Sequence, residues 1–314
     1  VIYALRHRTT YKYGSTVTFA RCVLRLTPRS SGDQTVLESA VRVTPTPREI
    51  VRRTGPFGEQ TLTAVIDTPH KALVIEAVAR VDVHAQPVMD PRDSEAWEAV
   101  RETSFGSNIL GPEGPADYLF PTRRTPLLPE VIAYARSSFT PGRPIVQAVS
   151  ELMTRIYDDF TYDSKATEVS TPAYEAFEKK RGVCQDFAHI MICGLRGLGL
   201  PAAYVSGYLR TIPPEGQPRL EGADATHAWV SVWCGEERGW IGFDPTNAIL
   251  AQTDHIVLAV GRDYSDVAPI DGILLAPGGQ KLKVEVDVVP QDEGGDTVLW
   301  PAFGPRPSLG RPGA

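Results

Sequence analysis

Two hydrophobic periods divide the chain. From residue 1 to about 90, apolar and polar positions alternate with the period of half-buried strands. The runs "IYALRHRTTYKY", "VTFARCVLRLTP", "VLESAVRVTP", "QTLTAVIDTP" and "ALVIEAVARVDVHA" are rich in Val, Ile and Thr and are bounded by Pro or Gly. Gly14-Ser15, between the first two, predicts a hairpin, and the whole set predicts an antiparallel sandwich or barrel. His70 and His84 fall in these strands or their turns and read as structural. Residues 87 to 129 are dense in Pro, Gly and Ser and read as a connector with short helical pieces.

The period then changes. In "RPIVQAVSELMTRIYDDF", Ile145, Val149, Leu152, Ile156 and Phe160 share one helical face, a core contact. Ser170-Thr171-Pro172 starts a short helix that runs through Phe177 into "RGVCQDFAHIMICGL". The apolar runs "AAYVSGYL", "HAWVSVWC" and "GWIGFDP" read as neighbouring strands of one sheet, followed by "DHIVLAVGRDYSDVAP" and the strand "KLKVEVDVV". From Gln291 onward, Gly and Pro predict a loosely held tail. The expected division is a β domain with its connector over 1–125, an α+β core over 126–290 and a tail over 291–314.

Composition narrows the function classes. At 314 residues the chain is long enough for two domains. Its net charge of −6, without a long basic run, argues against nucleic acid as a partner. No segment approaches the roughly 18–20 apolar residues of a membrane span, and the N-terminal residues alternate like a strand. Four cysteines (Cys22, Cys184, Cys193 and Cys234) do not make a disulfide framework in a chain of this length, and none form a CxxC pair. A cytoplasmic protein with free thiols, no metal and no cofactor is the expectation.

One of those thiols stands at an unusual place. Gly182 gives a tight turn before the helix, and Cys184 sits where the turn becomes helix. The unpaired N–H groups and partial positive charge of a helix N-terminus favour thiolate, the nucleophilic form, and can stabilise an oxyanion. Cys22, Cys193 and Cys234 read instead as small buried hydrophobes. A thiol nucleophile needs a base, and "DATHAWVSVW" places His227 near the start of an alternating strand. The next run, "GWIGFDPTN", ends in Asp244. If the two runs pair as antiparallel neighbours, Asp244 lies beside His227 and can orient its ring. Zinc held by Cys184, His227 and Asp244 is the competing chemistry, but the short-spaced, closed ligand set of such sites is missing from the sequence.

"GVCQDFAHIMICGLRGLGLPAAYVSGYL", "DATHAWV" and "GFDPTN" resemble the bacterial transglutaminase-like superfamily. "PHKALVIEAVARVDV" is similar to that family's N-terminal β domain and "HIVLAVGRDYSDVAPIDG" to its C-terminal signature, so the resemblance spans nearly the whole chain except the tail. It implies a papain-like core in which a helix headed by Cys184 packs on an antiparallel sheet, with Cys184 as nucleophile, His227 as base and Asp244 as its orienter. Where animal cross-linking enzymes have Trp after the cysteine, this chain has Gln185. Gln185 and Asp186 are expected to cap the helix or line the cleft, and Tyr208 and Trp229 to wall a pocket or to pack in the core. The resulting expectation is a thiol enzyme acting on amides of peptides or proteins, mainly by hydrolysis. Transfer to an amine is the alternative, and a binding module with an idle triad is the rival from another class.

Overall fold

The computed structural model describes residues 1–291 apart from 88–89, 110, 212–221, 223 and 276–277. Six strands come first: β1 (Ile2–Val17), β2 (Phe19–Leu24), β3 (Gln34–Thr44), β4 (Glu49–Thr54), β5 (Gln60–Ile66) and β6 (His70–Val83). Two more, β14 (Ile270–Leu275) and β15 (Gln280–Pro290), return from late in the chain. They form two four-stranded antiparallel sheets, ordered β15-β1-β6-β3 and β14-β2-β5-β4. Alternation makes each sheet apolar on one face, and Val17, Leu24, Leu62, Ile66, Leu73 and Ile75 form a shared core. Burying each of the larger side chains contributes about 1.5–3 kcal/mol.

Two sequence expectations fail here. The hairpin at Gly14-Ser15 does not form: β1 continues to Val17 and pairs with β6 and β15, while β2 belongs to the other sheet. The Gly14 N–H, instead of closing a turn, donates to Gly279 O at 3.0 Å. The expected core span 126–290 also gives its last two strands to the N-terminal sheets. Residues 292–314, most of the expected tail, lie outside the described residues.

Between these parts lie the helices α1 (Trp97–Gly106), α2 (Pro129–Arg136), α3 (Ile145–Asp159), α4 (Ala173–Lys179), α5 (Cys184–Gly197) and α6 (Tyr264–Val267). The short strands β7 (Thr161–Tyr162) and β8 (Arg181–Gly182) pair in parallel just ahead of α5. The core sheet comprises β9 (Ala202–Leu209), β10 (Ala225–Trp233), β11 (Trp240–Asp244), β12 (Ile249–Leu250) and β13 (His255–Gly261), in the antiparallel order β12-β11-β10-β9-β13. Helix α5 is apolar nearly all round, as a central helix must be, and packs against α2, β9 and β10. The stripe on α3 is buried as its period requires.

The two parts are packed together. Tyr3, Leu5 and Val81 of the first sheet share a cluster with Ile256 and Leu258 of β13. His7 Nδ1 lies 2.9 Å from the Tyr208 hydroxyl and its Nε2 lies 2.8 Å from Thr9 Oγ1. Burial alone pushes the His7 pKa down to about 4, so this polar link stays neutral.

The core itself is pinned by Arg196, near the end of α5. Its buried guanidinium donates to the carbonyls of Tyr118, Phe120, Ala202 and Arg262 and to Thr125 Oγ1. One side chain thus satisfies carbonyls from the connector, β9 and the segment after β13. Arg196→Met, of similar reach but with no donor, orphans them together. We expect a loss of about 3–5 kcal/mol in urea unfolding of the core. A loss below about 1 kcal/mol would mean the connector holds without it.

Candidate active site

The residues before α5 shape its first turn. Asp186 Oδ2 reaches back to accept the Val183 N–H at 2.9 Å and the Thr167 hydroxyl at 2.6 Å. Gly182 must be glycine for this approach, because a Cβ there would sit 2.5 Å from the same oxygen. Burial raises the Asp186 pKa, with the two hydrogen bonds opposing it. Asp186 therefore caps the helix, and Cys184 occupies the first helical position, half-buried. The other three cysteines are buried, and burial raises the pKa of each.

Strands β10 and β11 form a hairpin, with Val230 opposite Phe243 and Trp233 opposite Trp240. This register brings the end of β11 to the start of β10, and His227 Nε2 donates to Asp244 Oδ2 at 2.8 Å. The Cys184 thiol lies beside the same imidazole. Burial opposes a charge on His227, but the hydrogen bond to Asp244 and the nearby Cys184 outweigh it and raise the ring's pKa to about 10. For Asp244 burial acts upward, yet His227, His255 and Asn247 together hold the carboxyl far below its ordinary value. The three residues singled out in the sequence are thus brought together.

Two partners of Asp244 were not anticipated. His255 Nε2, at the start of β13, is 3.1 Å from Oδ2, and Asn247 Nδ2 donates to Oδ2 at 2.7 Å. Oδ1 accepts the backbone N–H groups of Thr246 at 2.9 Å and Asn247 at 3.3 Å. Asp244 itself has no exposed surface. Asn247, three residues after Asp244 in "DPTN", is legible as Asx-turn chemistry. His255 gives no local signal, because its role depends on how β13 is placed.

The other expected site residues separate. Gln185 is buried against the site and donates from Nε2 to Val169 O at 3.1 Å, tying the preceding loop to α5. Tyr208 packs in the core: it is 2% exposed and its hydroxyl turns toward His7. Trp229 is likewise 2% exposed. Its ring stacks on His227 with centroids 6.1 Å apart and meets His255 edge-on at 5.1 Å. A Cβ on Gly207 would fall 2.5 Å from that indole, so the glycine makes room for it. Trp229 therefore packs behind the histidines and excludes water from Asp244.

His227, Asp244 and His255 each offer a ligand-type atom within 4.8 Å of the others, a grouping of metal-ligating types. Their spacing is that of N–H groups donating to one oxygen, which Asn247 also bonds. A cation there would have to displace those donors, so the arrangement fits a solvated-by-protein carboxylate better than a metal centre.

The His227–Asp244 pair ties stability to pH. A histidine with a raised folded pKa contributes fully below its ordinary 6.5 and loses that contribution as pH climbs toward about 10. Asp244, with a lowered folded pKa, contributes fully above its ordinary 3.8 and loses it as pH falls below that value. The stability advantage of wild type over His227→Gln should be widest between pH 3.8 and 6.5 and shrink above it. Parallel urea titrations across that range check this, and an advantage that grows with rising pH would contradict it.

Residues 3–82 match the bacterial transglutaminase-like N-terminal region, and residues 132–245 match the transglutaminase-like superfamily core. A Mycobacterium tuberculosis protein described as uncharacterized is 39% identical over 295 residues, which are 92% of each chain. A solved structure of a candidate cysteine protease from Cytophaga hutchinsonii superposes with a TM-score of 0.72 at 22% identity, covering 93% of this chain and 91% of that one. A protein-glutamine gamma-glutamyltransferase of Pseudomonas aeruginosa is 32% identical over 131 residues, 38% of this chain and 20% of that protein. With the sandwich ahead of an α5-on-sheet core and both family regions matched along it, the chain belongs to the transglutaminase-like superfamily.

Proposed function

We propose that the protein is a thiol enzyme that cleaves amide bonds of peptides or proteins through a thioester on Cys184. The observation that carries this reading is the placement of one imidazole between Cys184 and Asp244, with Nε2 committed to the carboxylate at 2.8 Å. That leaves Nδ1 to exchange a proton with the sulfur. Cys184 Sγ attacks the carbonyl carbon, and the backbone N–H groups of the first turn of α5 stabilise the oxyanion. The C–N bond then breaks as His227 delivers its proton to the departing amine. Water, deprotonated by His227, attacks the thioester, releases the acid and returns the thiol. Asp244 keeps the ring oriented and balances its charge throughout. No metal or cofactor enters this cycle. The reading also assigns the protein to a reducing compartment such as the cytoplasm, where a thiol nucleophile stays free.

Transfer to an amine is the second reading, favoured by the partial likeness to a protein-glutamine gamma-glutamyltransferase. Both readings share every step up to the thioester. For a millimolar amine to outcompete water at about 55 M, the site must favour it by roughly four orders of magnitude. An aromatic-lined acceptor site beside the cysteine would supply that preference, and here the residue after the cysteine is Gln185, bonded to a backbone carbonyl. Hydrolysis is therefore favoured.

Three outcomes are expected. In native protein, limiting iodoacetamide should label Cys184 ahead of Cys22, Cys193 and Cys234; equal labelling of all four would remove the nucleophile assignment. Cys184→Ala should abolish turnover while staying folded, and His227→Ala should cost about a thousandfold or more in kcat/KM. Appreciable turnover by folded Cys184→Ala would end the mechanism. With a glutamine-containing peptide and a fluorescent primary amine at millimolar concentration, free acid should exceed amide-linked product. The reverse ratio would replace hydrolysis with amine transfer.

A further inference from the structure

His255 lies outside the Cys184–His227–Asp244 arrangement, yet it is buried against it, 3% exposed. Its Nε2 is 3.1 Å from the same Asp244 oxygen that His227 uses. On the far side of the ring the Gln252 N–H donates to Nδ1 at 3.4 Å. An imidazole nitrogen that accepts has no hydrogen, so in the neutral ring the hydrogen is on Nε2 and points at Asp244.

The packing holds the ring in that pose. Trp229 meets His255 edge-on at an interplanar angle of 74° while lying nearly parallel to His227, at 26°. The indole thus sits against both imidazoles that bond Asp244. The backbone contributes as well. His255 is the first residue of β13 and pairs with Leu209 of β9, whereas His227 is on β10 and Asp244 on β11. The ring therefore links the far-edge strand to the end of β11.

We propose that His255 is a positioning residue: a neutral Nε2–H donor that fixes the rotation of the Asp244 carboxylate, and through it the His227 ring facing Cys184. This rests on the proposed function of the site. Without His255, Oδ2 keeps the side-chain donors of Asn247 and His227, and Oδ1 keeps its two backbone N–H groups. All of these except His227 come from the turn after β11, so the carboxylate loses its tie to β13 and gains freedom about its Cβ–Cγ bond. His227 would then lose the alignment that lets its other nitrogen serve the sulfur.

The test uses full-length protein and two kinds of readout. Nitrogen-15 NMR of wild type at neutral pH should show His255 as the neutral Nε2–H tautomer; a Nδ1–H or doubly protonated ring would overturn the proposal. Iodoacetamide alkylation of Cys184 at fixed neutral pH should slow about tenfold or more in His255→Phe, which fills the space without a donor. His255→Gln, whose amide N–H can reach the same oxygen, should recover to within about threefold of wild type. His255→Met replaces the Phe variant if that one does not fold. Wild-type rates in the donor-less variant, or no recovery with Gln, would overturn the proposal. Where turnover is detectable, kcat should fall with KM little changed. A wild-type protein with no amide-cleaving or amine-transfer activity would defeat the functional reading, but the tautomer and alkylation tests of His255 would still decide this one.

Discussion

A carboxylate with no exposed surface governs the transglutaminase-like half of this fold. Leaving Asp244 ionised without water requires donors around both oxygens, since an unpaired buried charge costs several kcal/mol. Those donors come from separate places: His227 on β10, His255 on β13, and Thr246 and Asn247 in the turn after β11. The sheet order β12-β11-β10-β9-β13 brings them together. The requirement to satisfy one anion therefore constrains strand order, the DPTN turn and the burial of Trp229 at once. It also explains why His227 can hold a proton although burial opposes it.

The N-terminal sheets bear on the same constraint from behind. They pack against β13, the strand that begins at His255, and His7 reaches Tyr208 on β9, across from Thr226 of β10. Strands β14 and β15 extend those sheets after the core has been completed, so the chain closes back over its own beginning. The sandwich is thereby a buttress for the edge of the core sheet. On α5, Asp186 sets the first turn at one end and Arg196 anchors the other to the connector. The helix that carries Cys184 is held at both ends.

What could be read from the sequence followed periodicity and local chemistry. The stripe from Ile145 to Phe160, the strands of the first 90 residues, and the helix start at Cys184 each have a signal within a few residues. His227 and Asp244 were legible because a hairpin joins them. The failures are all non-local. A period of two tells which face of a strand is buried but not which strand it joins, so β1 and β2 looked like a hairpin although they belong to different sheets. The same ambiguity hid the return of β14 and β15. His255 gave no signal of its own because its partner Asp244 lies on another strand, beyond β9 and β10. For Tyr208 and Trp229 the sequence left pocket wall and core packing open, because local pattern does not show what lies above a strand; both are buried.

The central claim is a covalent acyl group on Cys184, and it can be observed directly. The protein is mixed with a glutamine-containing peptide, quenched in acid within one turnover, digested, and analysed by mass spectrometry. The account predicts a peptide carrying Cys184 with the added mass of the acyl group, lost on treatment with hydroxylamine and absent in His227→Ala quenched at the same time. Product formation with the Cys184 peptide unmodified at every quench time, or an acyl group on another residue, would contradict it.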